Sequence, residues 1–419
     1  MKRIAVFCDG TWNRSDAAHP TNVVHLARAL HRTAPDGTPQ IAVYVPGVGA
    51  GAGASKLQRW LDRVLGGALG WGLTRNIAEA YRHLALNHAP GDEIYIFGFS
   101  RGAYTARSLA GLIRASGLGA PANVGRIPEA IDRYRDPDPR TRPDHPDSFA
   151  FRLGFAPDTA TSAAEADWRV ARGHPEPPRV VLRYLGVWDT VGALGIPFGV
   201  TPARLTGAYN FHDTTLSHCV RAARHAVAID ERRRFYAPAL WDNVAALNAA
   251  TEGTPYRQEW FPGDHSSVGG GAKVQGLAVQ ALDWMREGAE AAGLRFDDRV
   301  LAPILARADA AAPLASTPDP GLWMRLMLRV SADRDGPVRP EDVSGAARGR
   351  LRCGAAALGR GARLPPRPAA ARGRHAGPGA AAPVLTPHSY TTAYHLSPRH
   401  GLRYTPRCDE VGGTEEPRP

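Results

Sequence analysis

The middle of the sequence carries a Gly-x-Ser-x-Gly pentapeptide, Gly98-Phe99-Ser100-Arg101-Gly102, between a short apolar run and a helical pattern. Where a buried strand turns sharply into a helix, the serine at the turn has a strained backbone and an exposed hydroxyl. Gly98 and Gly102 lack a Cβ, so neighbouring backbone can pass close to them. Free N–H groups at the helix start can stabilise an oxygen that gains negative charge. The pattern therefore predicts a nucleophile at Ser100, the alternative being an ordinary strand-to-helix turn.

Asp189 is the candidate acid for such a serine. A serine hydroxyl is a weak nucleophile at neutral pH, so it needs a histidine base and a carboxylate that orients the histidine. Asp189 follows the apolar run 180–187 and precedes Gly192. In hydrolases of the α/β type the chain order is serine, acid, histidine. The alternative role for Asp189 is to cap a following helix.

His265 is the candidate base. It lies on a predicted loop between an apolar strand end and three consecutive glycines. His212, His218 and His225 compete for the role, but they fall in or beside a predicted helix over 213–228. In a helix of this kind a surface histidine or a hydrogen-bonded core histidine is the plainer interpretation.

The loop 9–13 is the candidate for the second half of an oxyanion hole, because it follows the first apolar run. Such a hole usually takes one donor from an early loop and one from the residue after the nucleophile. We expect the N–H of Thr11 or Gly10 to act with the N–H of Arg101. Asp9 is expected to brace the turn through its carboxylate.

Short apolar runs without strict alternation predict strands that are buried on both faces, as in a parallel sheet. Helical patterns between these runs predict a mostly parallel, doubly wound α/β sheet. A glycine-rich break is expected at 66–72 within the first long helical pattern. The predicted strands are 4–8, 41–45, 94–98 and 180–187, and the predicted helices are 57–86, 103–113, 276–306 and 322–330.

The composition divides the chain into parts. Residues 1–340 are expected to form the catalytic domain. Within it, 120–178 is rich in Pro, Asp and Arg and predicts an insertion, either a cap or lid or a solvated excursion. Residues 341–419 are rich in Arg, Ala, Gly and Pro, so they bury too little apolar surface to offset their ordering entropy. We expect them to be poorly ordered, whether they are a natural tail or the product of a shifted reading frame.

The basic character of the chain is confined to its C-terminal part. The 419 residues have a formal net charge of +11, and the stretch 343–408 contains 11 arginines but no lysine and no acid. These account for 11 of the 51 basic residues, which leaves 40 against 40 acidic ones. The charge therefore indicates no basic binding face on the core, and no specific nucleic-acid partner is expected.

The cysteines, Cys8, Cys219, Cys353 and Cys408, have neither Cys-x-x-Cys nor Cys/His spacing, so we expect no structural zinc site and no disulfide framework. The chemistry above needs no metal and no cofactor. The first apolar run stops at Asp9, too soon for the core of a signal peptide. No window has 18 uninterrupted apolar residues. We expect a protein that is made in the cytoplasm.

Several segments, in the same order, resemble the catalytic domain of the type VI secretion phospholipase effectors of the first lipase family. They are CDGTWN at 8–13, GWGLTRNIAEAYRHL at 70–84, GFSRGAYTARSLAGLI at 98–113, VWDTVGALG at 187–195 and WFPGDHSSVGGG at 260–271. The resemblance covers about residues 1–330. It implies an α/β-hydrolase fold, a Ser100–Asp189–His265 triad and hydrolysis of phospholipid or other lipid acyl esters. It also implies export by a type VI system, transient membrane contact and an immunity protein as partner.

The sequence departs from the family at Ser267, where members usually carry an Asp that could brace the histidine loop. It also lacks a recognisable membrane-associating C-terminal region. Two other functions stay open. An inactive hydrolase-fold protein that binds a partner would keep the same residue types. A dinucleotide-binding protein is suggested by the Gly-x-Gly-x-x-Ala pattern at 49–54, but the acidic residue expected about 20 residues later is missing.

Overall fold

The computed structural model describes residues 1–49, 67–192, 215–233, 236–314 and 334–352. The strands of its central sheet are β1 (Arg3–Cys8), β2 (Gln40–Val45), β3 (Glu93–Phe99), β4 (Val181–Trp188), β5 (Ala223–Ala228) and β6 (Tyr256–Phe261). They form one six-stranded sheet with the order β2-β1-β3-β4-β5-β6, in which every pair of neighbours is parallel. The chain therefore winds from β1 to one edge and then returns through β3 to the other edge, as in a doubly wound sheet.

Helices cover both faces of this sheet. They are α1 (Asn22–Ala29), α2 (Gly67–Asn87), α3 (Arg101–Ser116), α4 (Ile127–Arg135), α5 (Pro146–Phe155), α6 (Ala163–Val170), α7 (Val244–Ala249), α8 (His265–Gly269), α9 (Gly276–Ala291), α10 (Asp298–Leu305) and α11 (Gly345–Arg352). Short 3-10 helices lie at Pro121–Arg126, Pro139–Thr141 and Pro340–Asp342.

β1 shows why the sheet needs a helical layer on each face. All of its residues are buried. Ile4 and Val6 belong to a core that α2 and α3 cover, whereas Ala5 and Phe7 belong to a second core that α1 and α9 cover. A strand buried on both faces has no polar face, which explains the continuous apolar runs in the sequence. The predicted α/β-hydrolase-like, doubly wound parallel sheet is confirmed.

The predicted helix over 213–228 is wrong, because Ala223–Ala228 forms strand β5. The local sequence is rich in alanine and arginine, which favour a helix. Parallel pairing with β4 on one side and β6 on the other, together with burial of nearly the whole strand, overrides that preference. Tertiary packing therefore decides the conformation of this segment.

Two other helix predictions change in detail. The break at 66–72 is wrong over its described part, because α2 begins at Gly67 and continues without interruption. The helical segment 276–306 forms two helices, α9 and α10, and the turn between them contains Gly293 at φ 110°. Residues 57–66 and 322–330 lie outside the described residues.

The segment 120–178 lies between α3 and β4 and folds into short helices, of which α4 and α5 pack against α3. A buried ionic group holds them together. Glu165 accepts from Arg152 Nε at 2.8 Å and from Arg169 Nη2 at 2.5 Å, and all three side chains are buried. Buried charges need partners of this kind. The segment is therefore a packed helical layer and not a solvated excursion; its role as a cap stays a prediction.

Residues 334–352 extend the folded body past the predicted boundary at 340. The Ser344 N–H donates to the carbonyl oxygen of Trp260 at the end of β6, at 3.0 Å. Arg350 of α11 is buried and donates to two carbonyl oxygens of the loop after α10, at 2.7 and 2.8 Å. Residues 341–352 thus have contacts with the folded body, and the boundary between the domain and the C-terminal segment stays a prediction. Residues 353–419 lie outside the described residues.

Candidate active site

Ser100 lies at the turn between β3 and α3, with its backbone at φ 59° and ψ −124°. Close backbone packing surrounds this turn. A Cβ on Gly98 would lie 2.4 Å from the Gly102 carbonyl oxygen, and a Cβ on Gly102 would lie 2.2 Å from the Cys8 carbonyl oxygen. Neither contact leaves room for a side chain, which is the physical reason for both glycines.

Backbone strain is concentrated around this serine. Three non-glycine residues of the described chain have positive φ: Trp12 at 69°, Ser100 at 59° and Asp189 at 38°. Trp12 belongs to the loop 9–13, Ser100 is the candidate nucleophile and Asp189 is the candidate acid. Strained residues of this kind persist where the surrounding structure holds them, and they cluster at functional sites.

His265 joins the other two candidate residues. Its Nε2 lies 2.8 Å from Ser100 Oγ, and its Nδ1 lies 2.6 Å from Asp189 Oδ2. His265 is the first residue of α8, which follows β6 after a short turn. Its ring packs against Phe99 and Tyr236, with ring centroids 4.6 and 4.7 Å apart. The structure therefore brings together the serine, the acid and the histidine that the sequence predicts.

Asp189 follows β4, and its side chain is fully buried. Its Oδ1 accepts from the Ala228 N–H at 2.9 Å and from Arg334 Nη1 at 2.6 Å. Its Oδ2 accepts from His265 Nδ1 and from Arg334 Nη2, the latter at 3.0 Å. Four donors for two oxygens satisfy the carboxylate. These donors come from other elements, so a helix-capping role for Asp189 has no support among residues 190–192.

The ionisation of Asp189 determines which nitrogen of His265 carries the proton. Burial raises the pKa of Asp189, but the charge of Arg334 and the hydrogen bond from His265 outweigh burial and hold that pKa well below its usual value. An ionised carboxylate can only accept. The proton it shares with His265 is therefore on Nδ1, which leaves Nε2 to accept from the Ser100 hydroxyl.

The loop 9–13 lies beside Ser100, because a Cβ on Gly10 would lie 3.3 Å from Ser100 Cβ. The Gly10 N–H donates to the Asp9 carboxylate at 2.7 Å, so it is already used within the loop. The Thr11 N–H has no acceptor among the described residues. The Arg101 N–H is the first of α3, and the first N–H groups of a helix have no partner within it. Of the predicted donors, Thr11 and Arg101 thus have unused N–H groups.

Asp9 braces this loop from inside the protein. Its Oδ1 also accepts from Thr21 Oγ1 at 2.9 Å, and its Oδ2 accepts from the Tyr44 hydroxyl at 2.7 Å. Burial raises the pKa of Asp9 to about 6, although its three hydrogen bonds act to lower it. The side chain therefore has the bracing contacts that the sequence predicts for it.

Carboxylates hold the turn that carries His265. Glu231 Oε2 accepts from the His265 N–H at 3.2 Å. Asp264 caps α8, because its Oδ1 accepts from both the N–H and the hydroxyl of Ser267, each at 2.9 Å. Ser267 is the position where the resemblance noted in the sequence leads us to expect an Asp. Here a hydroxyl donor supports the loop, and a second carboxylate would face that of Asp264.

Of the competing histidines, His225 lies outside the hydrogen-bond chain of Ser100, His265 and Asp189. His225 is fully buried on β5, where its Nε2 accepts from the Thr190 N–H at 3.3 Å and its Nδ1 lies 2.9 Å from Gln258 Oε1. Burial and the charge of Arg107 lower the pKa of His225 to about 3. His218 lies in the loop before β5, and His212 lies outside the described residues. His225 is thus a hydrogen-bonded core histidine.

The residue after the nucleophile, Arg101, has a side chain with no carboxylate partner among the described residues. Its Nε is buried and has no hydrogen-bond acceptor in the described part of the chain. Burial lowers the pKa of Arg101, and the Tyr236 phenol is the ionisable group that acts to raise it. A partly buried cation that has no anionic neighbour among the described residues is costly, so a negatively charged ligand would be stabilised there.

Further features concern the described ranges alone. No group of three or more His, Cys, Asp or Glu side chains there is placed to hold a metal ion. Cys8 and Cys219 are free thiols. Over the same residues, no helix combines the length and apolar character that crossing a bilayer requires. Of the Gly-x-Gly-x-x-Ala pattern at 49–54, residues 50–54 lie outside the described residues.

Residues 2–288 match the protein family described as "T6SS, Phospholipase effector Tle1-like, catalytic domain". The chain belongs to this family. The resemblance inferred from the sequence segments is thus confirmed. Ser100, Asp189 and His265 lie inside the matched residues of the Tle1-like domain, whereas Arg334 lies beyond them.

Individual relatives of this Tle1-like chain are distant or matched only in part. The uncharacterized protein YEL023C of Saccharomyces cerevisiae (strain ATCC 204508 / S288c) is 31% identical over 243 residues, which are 55% of this chain and 31% of that protein. The chain therefore spans about a third of the length of this curated relative.

Two solved structures are also similar. An uncharacterized protein from Pseudomonas aeruginosa is 20% identical with a TM-score of 0.40, covering 73% of this chain and 48% of that chain. The Tle1 effector bound to the VgrG spike from the Type 6 secretion system is 20% identical with a TM-score of 0.29, covering 64% of this chain and 51% of that chain.

The site of this Tle1-like chain contains residues that the sequence analysis missed, namely Glu231, Tyr236 and Arg334. Glu231 follows the apolar residues 226–229, so recognition of strand β5 would have placed it at the carboxyl edge of the sheet. Arg334 has no such local signal, because its partner Asp189 lies 145 positions away.

Proposed function

We propose that this chain is a serine hydrolase that cleaves carboxylic acyl esters with Ser100, His265 and Asp189. One observation carries the proposal: a continuous hydrogen-bond chain runs from Ser100 Oγ through both nitrogens of His265 to Asp189 Oδ2, with lengths of 2.8 and 2.6 Å. A nucleophile, a base and an orienting carboxylate in this order are what acyl transfer by serine requires. The strained backbone of Ser100 gives further support.

The reaction proceeds in two halves. In the first, Nε2 of His265 takes the hydroxyl proton as Ser100 Oγ attacks the ester carbonyl carbon. The tetrahedral intermediate then collapses, and the leaving alcohol takes the proton from Nε2 while the acyl group stays on Ser100. In the second, water loses a proton to Nε2 as its oxygen attacks the acyl carbonyl carbon. The bond to Ser100 Oγ then breaks, Nε2 returns the proton to Oγ, and the carboxylic acid is released. Asp189 orients the imidazole and stabilises its charged form.

The N–H groups of Thr11 and Arg101 are proposed to bind the oxyanion of each tetrahedral intermediate. Support comes from the position of the loop 9–13 beside Ser100 and from the absence of other acceptors for both groups among the described residues. Donors fixed in advance stabilise the transition state more than the substrate, because negative charge develops only as the reaction proceeds.

The substrate is proposed to be a lipid ester, and specifically a phospholipid. Membership of the Tle1-like phospholipase effector family supports a lipid ester. The Arg101 side chain supports an anionic substrate, since it follows the nucleophile directly and its buried Nε has no acceptor among the described residues. The phosphate of a phospholipid would supply the missing negative charge.

The family also supports a biological setting for this reaction. We propose synthesis in the cytoplasm, export by a type VI system, transient contact with a membrane surface and an immunity protein as partner. The catalytic domain is proposed to comprise the body from residue 1 to 352, with 120–178 as a helical cap over α3.

The test is release of fatty acid from phosphatidylglycerol vesicles and hydrolysis of a soluble neutral ester, p-nitrophenyl butyrate, by the full chain. Ser100→Ala and His265→Ala are each expected to lower turnover at least about 10³-fold, because members of such a triad act as a unit. Ser108→Ala is the matched control. Ser108 lies on the same helix α3, and its buried hydroxyl has no hydrogen-bond partner in the described part of the chain.

Each outcome of this test has a clear meaning. Loss of both activities in Ser100→Ala, with Ser108→Ala unchanged, supports the proposal. Near-native activity of Ser100→Ala or His265→Ala refutes the mechanism. A folded wild-type chain that hydrolyses neither substrate refutes the proposed hydrolase activity and favours an inactive hydrolase-fold protein that binds a partner.

A further inference from the structure

Arg334 donates hydrogen bonds to both carboxylate oxygens of Asp189. Its two terminal nitrogens donate to the two oxygens, Nη1 to Oδ1 at 2.6 Å and Nη2 to Oδ2 at 3.0 Å. The guanidinium is fixed by two further acceptors, the carbonyl oxygens of Ala228, at 2.6 Å, and of Tyr236. The Arg334 side chain is buried, with only 6% of its surface exposed. A buried, bidentate pair of this kind fixes both the position and the plane of a carboxylate.

The segment that carries Arg334 is outside the residues that match the Tle1-like domain, which end at 288. It belongs to the described range 334–352, whose helix α11 packs against β6 and α9. The Arg334 side chain therefore connects this C-terminal part of the folded body to the active site. Within the described residues, the acid of the site is completed by a segment that the family match does not include.

We propose that Arg334 is a positioning residue of the active site, which aligns the Asp189 carboxylate with His265 Nδ1 and shares its negative charge. This inference rests on the proposed function. Asp189 Oδ2 accepts from both His265 and Arg334, so each donor limits where the other can lie. Arg334 reaches the ester only through Asp189 and His265, and it takes no part in proton transfer.

Arg334 has two separable effects. Its two parallel hydrogen bonds fix the plane of the Asp189 carboxylate, which favours the imidazole orientation that the reaction needs. Its positive charge opposes the protonated form of His265, because it offsets part of the Asp189 charge that stabilises that form. Loss of Arg334 therefore lowers kcat, and it moves the acid limb of the kcat/KM profile to higher pH. Among the described residues, the substitution leaves in place the other charged or titratable groups around the imidazole and its acid, which are Glu231, Arg233, Tyr236, Asp264, Arg101 and His225.

The experiment compares Arg334→Gln and Arg334→Lys with wild type, using the full chain and p-nitrophenyl butyrate from pH 4 to 9. For Arg334→Gln we expect kcat to fall about 10- to 100-fold with KM changed less than about twofold. Its acid limb should move up by about one pH unit. Arg334→Lys keeps the positive charge but cannot donate to both carboxylate oxygens in the bidentate geometry of a guanidinium. It should therefore keep the wild-type acid limb and have a kcat between those of Arg334→Gln and wild type. Arg339→Gln is the control, since Arg339 lies in the same segment with a half-exposed side chain paired to Asp342.

The inference is overturned if Arg334→Gln is folded and has wild-type kcat, or if Gln and Lys lower kcat equally without a shift of the acid limb. If Arg334→Gln does not fold, Arg334→Lys decides: wild-type kcat refutes the positioning role, and lowered kcat with an unmoved acid limb supports it. Failure of the proposed function would appear differently, as an unchanged rate in Ser100→Ala. An inactive Ser100→Ala beside a fully active Arg334→Gln would refute the Arg334 inference alone.

Discussion

Replacing Asp189 with Asn tests the core of the site, because it keeps the shape and removes the charge. The carboxylate receives four hydrogen bonds, one from His265, one from the Ala228 N–H and two from Arg334. Asn has a carbonyl oxygen in place of one carboxylate oxygen and an NH₂ group in place of the other. Each carboxylate oxygen accepts two of the four bonds, so the NH₂ group, which only donates, must face two donors. If the NH₂ takes the Oδ2 position, Nδ1 of His265 loses its acceptor and the other tautomer is favoured. Nε2 then carries a proton and cannot accept one from Ser100.

The expected fall in kcat follows from the loss of His265 as a base. The corresponding change in a serine protease lowers kcat by about 10⁴-fold, which is about 5 kcal/mol at about 1.4 kcal/mol per factor of ten. The same exchange leaves the buried Arg334 without its counter-charge. Removing one partner of a buried ion pair costs about 3–5 kcal/mol of folding free energy. The double variant Asp189→Asn/Arg334→Gln removes both charges, so it should recover part of that stability while it stays inactive.

Two assays separate the effects. Urea unfolding gives the free energy of unfolding, and p-nitrophenyl butyrate hydrolysis gives kcat for the folded fraction. We expect Asp189→Asn to have both a lower free energy of unfolding and a lower kcat than wild type. The double variant should have a higher free energy of unfolding than Asp189→Asn and an equally low kcat. A folded Asp189→Asn protein with kcat within tenfold of wild type would refute the assignment of Asp189 as the orienting acid.

Three further results are expected. Arg101→Met, which keeps the backbone N–H, should lower kcat/KM for phosphatidylglycerol about 10- to 100-fold and leave p-nitrophenyl butyrate nearly unchanged; an equal loss on both substrates would contradict an anion-binding role. Ser267→Asp should lower the free energy of unfolding by about 1–3 kcal/mol relative to Ser267→Ala, because it places a carboxylate against Asp264; a gain in stability at neutral pH would contradict this. The depressed pKa of Asp189 stabilises the fold above about pH 4, the unfolded pKa, and this contribution is lost as pH falls through the folded pKa. The stability gap between wild type and Asp189→Asn should therefore narrow below pH 4 in urea titrations, and a constant gap would contradict the cause given.

The parts of the fold that the sequence predicts are those with local signals. The runs 4–8, 41–45, 94–98 and 180–187 are strands because they are apolar on both faces, and the structure places strands there. Strand β5 has no such signal, because its alanines and Arg224 favour a helix and only its two neighbours in the sheet reverse that preference.

The candidate site shows the same division. Ser100, Asp189 and His265 each lie at the end of a strand or just after one, where parallel sheets gather functional side chains, so motif and order sufficed to predict their proximity. Arg334 lies in a stretch of ordinary charged composition, and its contact with Asp189 depends on the path of the whole chain between them. The support of the His265 loop by Ser267 depends likewise on the Asp264 carboxylate, so the residue type at 267 alone does not predict it.

The most direct test of the account is covalent labelling of the nucleophile. The full chain is treated with a fluorophosphonate, which reacts with activated serines, and the modified residue is identified by peptide mass spectrometry. We expect one adduct, on Ser100, which is absent from Ser100→Ala, forms much more slowly in His265→Ala and forms at the wild-type rate in Ser108→Ala. A folded wild-type chain that takes no label, or a label that persists in Ser100→Ala, would contradict the assignment of Ser100 as the activated nucleophile.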